Sequence, residues 1–304
     1  MSVSSSHTEV QPIELACGPV GYDHLVVPLD GNFDSERALA IADRFALLFD
    51  ATVVAVSVCD SELGREQMEE YYEHLVTRTG RTSLQWELPI QNDEPGPRIV
   101  ETANTFTDPL ICMASHGRGR LATSVLGSVA RSVLIASERP TIVAGPDCVL
   151  DDASGPSRII ACVDGSPSTA TVLRTAAAWA KQLRTGLVIL TVAEPGPPGV
   201  RDEQHFRRAF GPDVDATAYV NDLATIVRSA TGLSTEAHAV YHPIHAAAGV
   251  REFAAADPTT LIVVATHSRV GLNEIVLGSQ AARIVHDAPA PVLVTPIEHS
   301  PPEQ

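Results

Sequence analysis

Positive charge is scarce in this chain: 21 Lys and Arg stand against 37 Asp and Glu in 304 residues, a formal net charge of −16. Neutralising nucleic acid or an anionic membrane takes clustered Lys and Arg, so neither is expected as a partner; a single phosphate could still be held locally by backbone N–H groups. Cysteine is scarce as well. Cys17, Cys59, Cys112, Cys148 and Cys162 are odd in number, scattered and without a C-x-x-C pair, which speaks against a disulfide framework or a cysteine zinc site and fits a reducing cytoplasm. No apolar run approaches the length of a membrane span, and residues 1–20 lack the cationic start and apolar stretch of a signal peptide, so they are expected to form a flexible tail. Neither a G-x-x-x-x-G-K-[ST] loop nor a G-x-S-x-G elbow occurs, so no machinery of a dedicated NTPase or serine hydrolase is visible.

Aromatic residues are only 5% of the chain, against 44% hydrophobic overall, so Ala, Val and Leu must fill whatever cores exist. The length suits two of them, each near the common domain size of roughly 100 to 150 residues. The sequence also repeats itself. VVPLDG (26–31) returns as IACVDG (160–165), and ASHGRGRLATSVLGS (114–128) returns as ATHSRVGLNEIVLGS (265–279). Asp30 and Asp164 lie 134 residues apart while Gly127 and Gly278 lie 151 apart, so the second copy carries 17 extra residues, which fall in the loop-like stretch 193–216. A repeat this long is a duplicated domain rather than a solenoid unit. The expected division is a tail at 1–20, a first domain at 21–146, a Gly/Pro/Ser/Asp-rich linker at 147–156, a second domain at 157–297 and a tail at 298–304.

Within each copy, short Val/Ile/Leu runs alternate with longer segments whose apolar residues recur every three or four positions. The runs 24–29, 52–58, 83–89, 110–114 and 141–145 predict five strands in the first copy; 158–163, 187–192, 236–241, 261–266 and 291–296 predict five in the second. Segments such as DSERALAIADRFALLF predict amphipathic helices between them. Strand, helix, strand throughout implies an α/β fold with right-handed crossovers and a parallel sheet covered on both faces.

In such a sheet ligands bind beyond the carboxyl ends of the strands, where helix N-termini present N–H groups to anions. Both repeated landmarks fall there. Gly117 and Gly119 either make turns or let the backbone approach a phosphate, and Gly127-Ser128 opens a predicted helix with amides and a hydroxyl. Gly-x-x-Gly, nine residues, then Gly-Ser resembles the nucleotide loop of the universal stress proteins; here it reads Ala114-Ser115-His116-Gly117, nine residues, Gly127-Ser128. Pro28-Leu29-Asp30 and the closing Pro-x-x-Val strands (Pro140 to Val143, Pro291 to Val294) are similar to that family too, so the resemblance covers both copies almost end to end. It implies strand order 3-2-1-4-5 in each copy. It also implies ATP as ligand, with Mg²⁺ carried on the nucleotide. By position Asp30 and Val58 would face the adenine side and Met113 and Ala114 the ribose, while Gly117, Gly127, Ser128 and Val129 would hold the phosphates; Pro28, His116 and Arg118 complete the candidate binding residues. The resemblance further implies that the last strands of the two copies pair, making a pseudo-dimer within one chain or within a homodimer.

The second copy departs further from the pattern. Cys162 replaces Pro28, Ala265 stands at the first loop Gly and Ser268 at the second, leaving Asp164, Val192, Gly278 and Ser279 as weak counterparts. A good site is expected in copy one and a weak or empty one in copy two. The shared His116 and His267 are assigned to local hydrogen bonding, since no acid or nucleophile lies beside them in sequence. Arg118 and Arg269 are either phosphate partners or exposed loop residues. Gly117 to Ala122 satisfies G-x-G-x-x-A but follows the fourth strand rather than the first. His238, His242 and His245, near His267, are read as solvent-exposed loop histidines rather than a metal site, because Pro243 breaks helical spacing. The expected protein is a cytoplasmic stress-response module that binds an adenine nucleotide and an unknown protein partner. The alternatives are a member acting through protein contacts alone, or a slow ATPase or autophosphorylating switch.

Overall fold

The first strand shows how the layers arise. In β1 (His24–Pro28) the side chains of Leu25 and Val27 enter one core and that of Val26 enters another, and all three are fully buried. A strand buried on both sides belongs inside a sheet sandwiched between helices. The computed structural model describes residues 20–115, 126–149, 155–193, 215–268 and 275–297, with 13, 15 and 18. In the first copy β1 is followed by α1 (Phe33–Phe49), β2 (Thr52–Val56), α2 (Glu62–Thr79), β3 (Gln85–Glu87), α3 (Pro95–Ala103), β4 (Pro109–Ala114), α4 (Ser128–Ala136) and β5 (Thr141–Ala144). The second copy runs β6 (Arg158–Cys162), α5 (Thr169–Leu183), β7 (Gly186–Ala193), α6 (Ala216–Thr231), β8 (Thr235–Tyr241), α7 (Ala246–Ala255) and β9 (Leu261–Ala265). A short hairpin, β10 (His267–Ser268) and β11 (Ile275–Val276), precedes α8 (Ser279–Asp287) and β12 (Val292–Thr295).

All ten predicted strands are present, most within a residue or two of their expected ends. The run at 83–89 shortens to Gln85–Glu87, an edge strand beside Pro89, which has no N–H to extend the ladder. The hairpin β10–β11 was not expected from the sequence. The extra residues of the second copy fall between β7 and α6, where 194–214 lie outside the described residues.

The sheet order is β3-β2-β1-β4-β5-β12-β9-β6-β7-β8, so each copy contributes a 3-2-1-4-5 arrangement. Pairing is parallel within each copy and antiparallel where they join, with Thr141, Ile142 and Val143 opposite Val294, Leu293 and Val292. Helices α1, α2, α5 and α6 cover one face and α3, α4, α7 and α8 the other, and each core runs through both copies. Trp179 of α5 crosses the junction: its ring centroid lies 5.6 Å from Tyr22, 5.6 Å from Phe45 and 5.3 Å from Phe49. The contacts with Phe45 and Phe49 are edge-on, a geometry that adds to the area they bury. Gly145 tightens the same junction, since a Cβ there would lie 2.4 Å from the Val285 carbonyl oxygen at the end of α8.

Candidate functional site

In both copies the first strand ends in the same turn. Asp30 Oδ1 accepts from the Asn32 N–H at 3.1 Å, Asp164 Oδ1 accepts from the Ser166 N–H at 3.0 Å, and the glycines between them take left-handed φ values of 80° and 75°. Only glycine adopts that conformation without strain, which is the physical reason for the repeated Asp-Gly. Ser35 Oγ donates to the Asn32 carbonyl at 2.8 Å and lies 3.4 Å from the Asp30 N–H, tying the turn to the start of α1.

Strand order puts this turn at the reversal point, because β1 pairs with β2 on one side and β4 on the other. At this edge lie the half-buried Asp30 just past β1, half-buried Val58 just past β2, and half-buried Ala114 ending β4. The side chain of Met113 is buried in the core and Pro28 is buried in β1, so only their backbones are left for any ligand. Ser115 is buried; its N–H donates to the Ala144 carbonyl and its own carbonyl accepts from the Gly127 N–H, both at 2.8 Å. That bond sets the first turn of α4 beside the end of β4. The Gly127 amide is thereby bonded to main chain, where it positions α4. The amides of Ser128 and Val129, in the first turn of α4, are those that a helix leaves without intrahelical acceptors. Ser128 is exposed and Val129 half-buried. His116, Gly117 and Arg118, with Gly119, lie outside the described residues.

In the second copy Asp164 is exposed, Val192 is half-buried, and Gly278 caps α8 in an extended conformation like that of Gly127, with Ser279 exposed after it. After β9 the second copy forms the β10–β11 hairpin. There His267 pairs with Val276 and Ser268 with Ile275, so positions that match His116 and Gly117 belong to a β-ladder. Burial pushes the Cys162 thiol, at the place of Pro28, up to about 12, with the Asp164 carboxylate adding to the effect. Arg269 lies outside the described residues.

The histidines require a correction. His242 is buried rather than exposed: its Nδ1 accepts from the Ile244 N–H at 3.2 Å while Nε2 lies 3.3 Å from Glu252 Oε1. His245 caps α7, its Nδ1 accepting from the Ala248 N–H at 3.0 Å. Both rings serve backbone geometry, and a turn that hides its amides from water needs such acceptors. His238 is half-buried beside Phe253 and Glu236. Among the described residues no group of His, Cys, Asp and Glu is arranged to hold a metal ion, and no helix is long and apolar enough to cross a membrane. Sequence reasoning missed two residues beneath the Asp30 turn, Ser57 and Tyr72, whose hydroxyls lie 2.8 Å apart. A lone Ser in a strand and a Tyr in an amphipathic helix carry no motif that marks them. A separate open groove of about 510 Å³, lined by Arg65, Trp86, Leu88 and Arg98 among others, lies along the β3 edge away from the β1–β4 reversal.

The sequence matches the model of the universal stress protein family over residues 21–145 and again over 156–296. The chain belongs to the universal stress protein family. A universal stress protein of Mycolicibacterium smegmatis is 23% identical over 298 residues, which cover 89% of this chain and 96% of that protein. One from Mycobacterium tuberculosis strain H37Rv is 28% identical over 206 residues; the match covers 66% of this chain and 65% of the relative, just under two thirds of its length. Among solved structures, a universal stress protein from Archaeoglobus fulgidus superposes with a TM-score of 0.62 at 17% identity, covering 91% of this chain and 99% of that one. At that identity the likeness speaks for the fold of the family, two duplicated α/β units, and not for a ligand.

Proposed function

We propose that this chain binds ATP in its first copy and works as a nucleotide-dependent regulator or binding module in a cytoplasmic stress response. One observation carries the reading: the Asp30 turn, Val58, Ala114 and the first-turn amides of α4 meet at one edge, at the reversal point of the sheet. An acceptor and an apolar wall suit a base and sugar, and helix amides suit a phosphate. In this reading Pro28 and Met113 shape the backbone of the wall, His116, Gly117 and Arg118 complete the phosphate side with Gly127, Ser128 and Val129, and Mg²⁺ arrives on the nucleotide. The two functional units span 21–146 and 157–297. Asp164, Val192, Gly278 and Ser279 form at most a weaker second site, because Ser268 replaces a loop glycine and is drawn into the β10–β11 pairing. Groups for efficient phosphoryl transfer are few on this edge, so binding outpaces hydrolysis, with turnover far below the roughly 1 to 100 per second of kinases.

Calorimetric titration with ATP tests the reading. About one tight site per chain is expected, and Gly117→Ser should weaken it at least roughly tenfold. Unchanged binding in that variant, or no nucleotide released from the purified chain on denaturation, would count against it.

A further inference from the structure

We propose that Ser57 and Tyr72 are positioning residues for the first copy's site, holding the Asp30 turn from the side of the sheet opposite the ligand. The proposal rests on the nucleotide reading, and the test below separates the two.

Successive residues of a strand face opposite ways, and the end of β2 uses this. Val58 packs with the core under α3 and α4, whereas Ser57 is buried on the α1 and α2 side. The β1–β2 ladder ends at Pro28 and Val56. Beyond it the Leu29 N–H still donates to the Val56 carbonyl at 2.9 Å, and Ser57 Oγ donates to the Leu29 carbonyl at 2.6 Å. With its only proton committed there, Ser57 Oγ accepts from the Tyr72 hydroxyl at 2.8 Å. Both polar groups of Leu29, the residue immediately before Asp30, are thereby fixed by β2.

Tyr72 is itself immobilised. It is fully buried, and its ring stacks on Trp86 of β3 with centroids 5.3 Å apart and planes 2° from parallel. Ser57 is anchored through its N–H to the Glu87 carbonyl at 3.0 Å. The relay therefore runs from a rigid helix and an edge strand to the residue that aims the Asp30 carboxylate. Its members are short bonds between buried neutral groups, where loss of one partner strands the next.

The second copy keeps only the backbone half. The Val163 N–H donates to the Leu190 carbonyl at 2.9 Å, as in copy one, and buried Thr191 stands at the place of Ser57. No hydroxyl bridge from Thr191 to the Val163 carbonyl is found among the described residues. The copies thus differ beneath the turn, and the difference favours the first site.

Ser57→Ala and Tyr72→Phe test the relay by amide hydrogen exchange and by ATP titration on the full chain. The Asn32 amide, which donates to Asp30, should exchange at least about tenfold faster in Ser57→Ala, while the equivalent Ser166 amide in copy two stays unchanged. ATP affinity should fall about fivefold or more, and Tyr72→Phe should move both readouts the same way. Val227→Ala, a core truncation in α6, serves as the control for general destabilisation and should leave both readouts alone. If Asn32 exchange is unchanged in both hydroxyl variants, or if Val227→Ala reproduces their effects, the proposal is wrong. Should the unaltered chain bind no adenine nucleotide, the nucleotide reading fails and Asn32 exchange alone decides the relay. If Ser57→Ala does not fold, Tyr72→Phe, which keeps the ring and its stack, decides it.

Discussion

Val143 stands directly opposite Val292 in an antiparallel ladder, and through this pairing two five-stranded sheets become one of ten. Each half would otherwise expose an apolar strand edge with unpaired N–H and C=O groups, a surface that seeks another strand. Residues 1–150 and 151–304, produced as separate chains in one cell, should copurify. Two independent monomers on a sizing column would show that the junction needs the covalent link.

Gly145 allows the tightest approach at that junction, with an added Cβ falling 2.4 Å from the Val285 carbonyl and 2.8 Å from that of His286. Backbone cannot swing aside as a flexible side chain can, so Gly145→Ala should destabilise the chain by about 1–3 kcal/mol, the range typical of overpacking. Gly186→Ala is the control, because its Cβ would meet nothing nearer than 3.8 Å. Urea midpoints of the two variants give the comparison, and equal midpoints would mean the junction yields easily.

Asp257 accepts from Ser157 Oγ at 2.6 Å and from the Thr259 hydroxyl and N–H at 2.5 and 3.1 Å, with Arg158 Nε at 3.9 Å. These donors, Ser157 foremost, hold its carboxyl below the usual carboxylate range. A depressed folded value means that the charged form stabilises the fold above the unfolded value of about 4, and that this contribution is lost as pH falls through the folded value. Asp257→Asn should therefore lower the unfolding midpoint at neutral pH, with a gap that narrows below about pH 4 and closes in stronger acid. A gap that stays constant across the acid range would rule out this linkage.

His245 replaces the usual Ser, Thr or Asp at a helix start, and its ring nitrogen does their work for α7. His245→Ala should cost about 1 kcal/mol, within the span measured for lost caps, and His245→Ser should recover most of it. Thermal unfolding of the three proteins checks this, and an alanine variant as stable as the parent would show that the cap contributes nothing.

The strands were legible because the signal is repeated and redundant, and their order came from the family resemblance. Runs such as LIVVA are buried on both faces and read the same in either copy. The repeat also located the Asp-Gly turn, whose glycine φ is forced. The roles of His242 and His245 were not legible. Whether a histidine ring meets water or a backbone amide depends on which carbonyls and helix ends fold around it, and sequence spacing does not encode that. The bond from the Gly127 amide was hidden for the same reason: its partner, the Ser115 carbonyl, is main chain and has no identity in the sequence. Ser57 and Tyr72 are fifteen residues apart on different elements, and only the packed fold brings their hydroxyls together.

The two sides of the junction are not alike. The first copy leaves β5 through Gly145, against the carbonyls that end α8, while the second leaves β12 through Pro296. Two identical subunits about a two-fold axis must satisfy every contact twice with one set of residues, so a change helpful on one side is imposed on the other. Joining the copies in a single chain lifts that constraint. Because the junction is antiparallel, the carboxyl ends of β1 and β4 open at one end of the sheet and those of β6 and β9 at the other. Each end can therefore diverge separately in sequence, one keeping Gly117 where the other has Ser268, without either giving up the shared core.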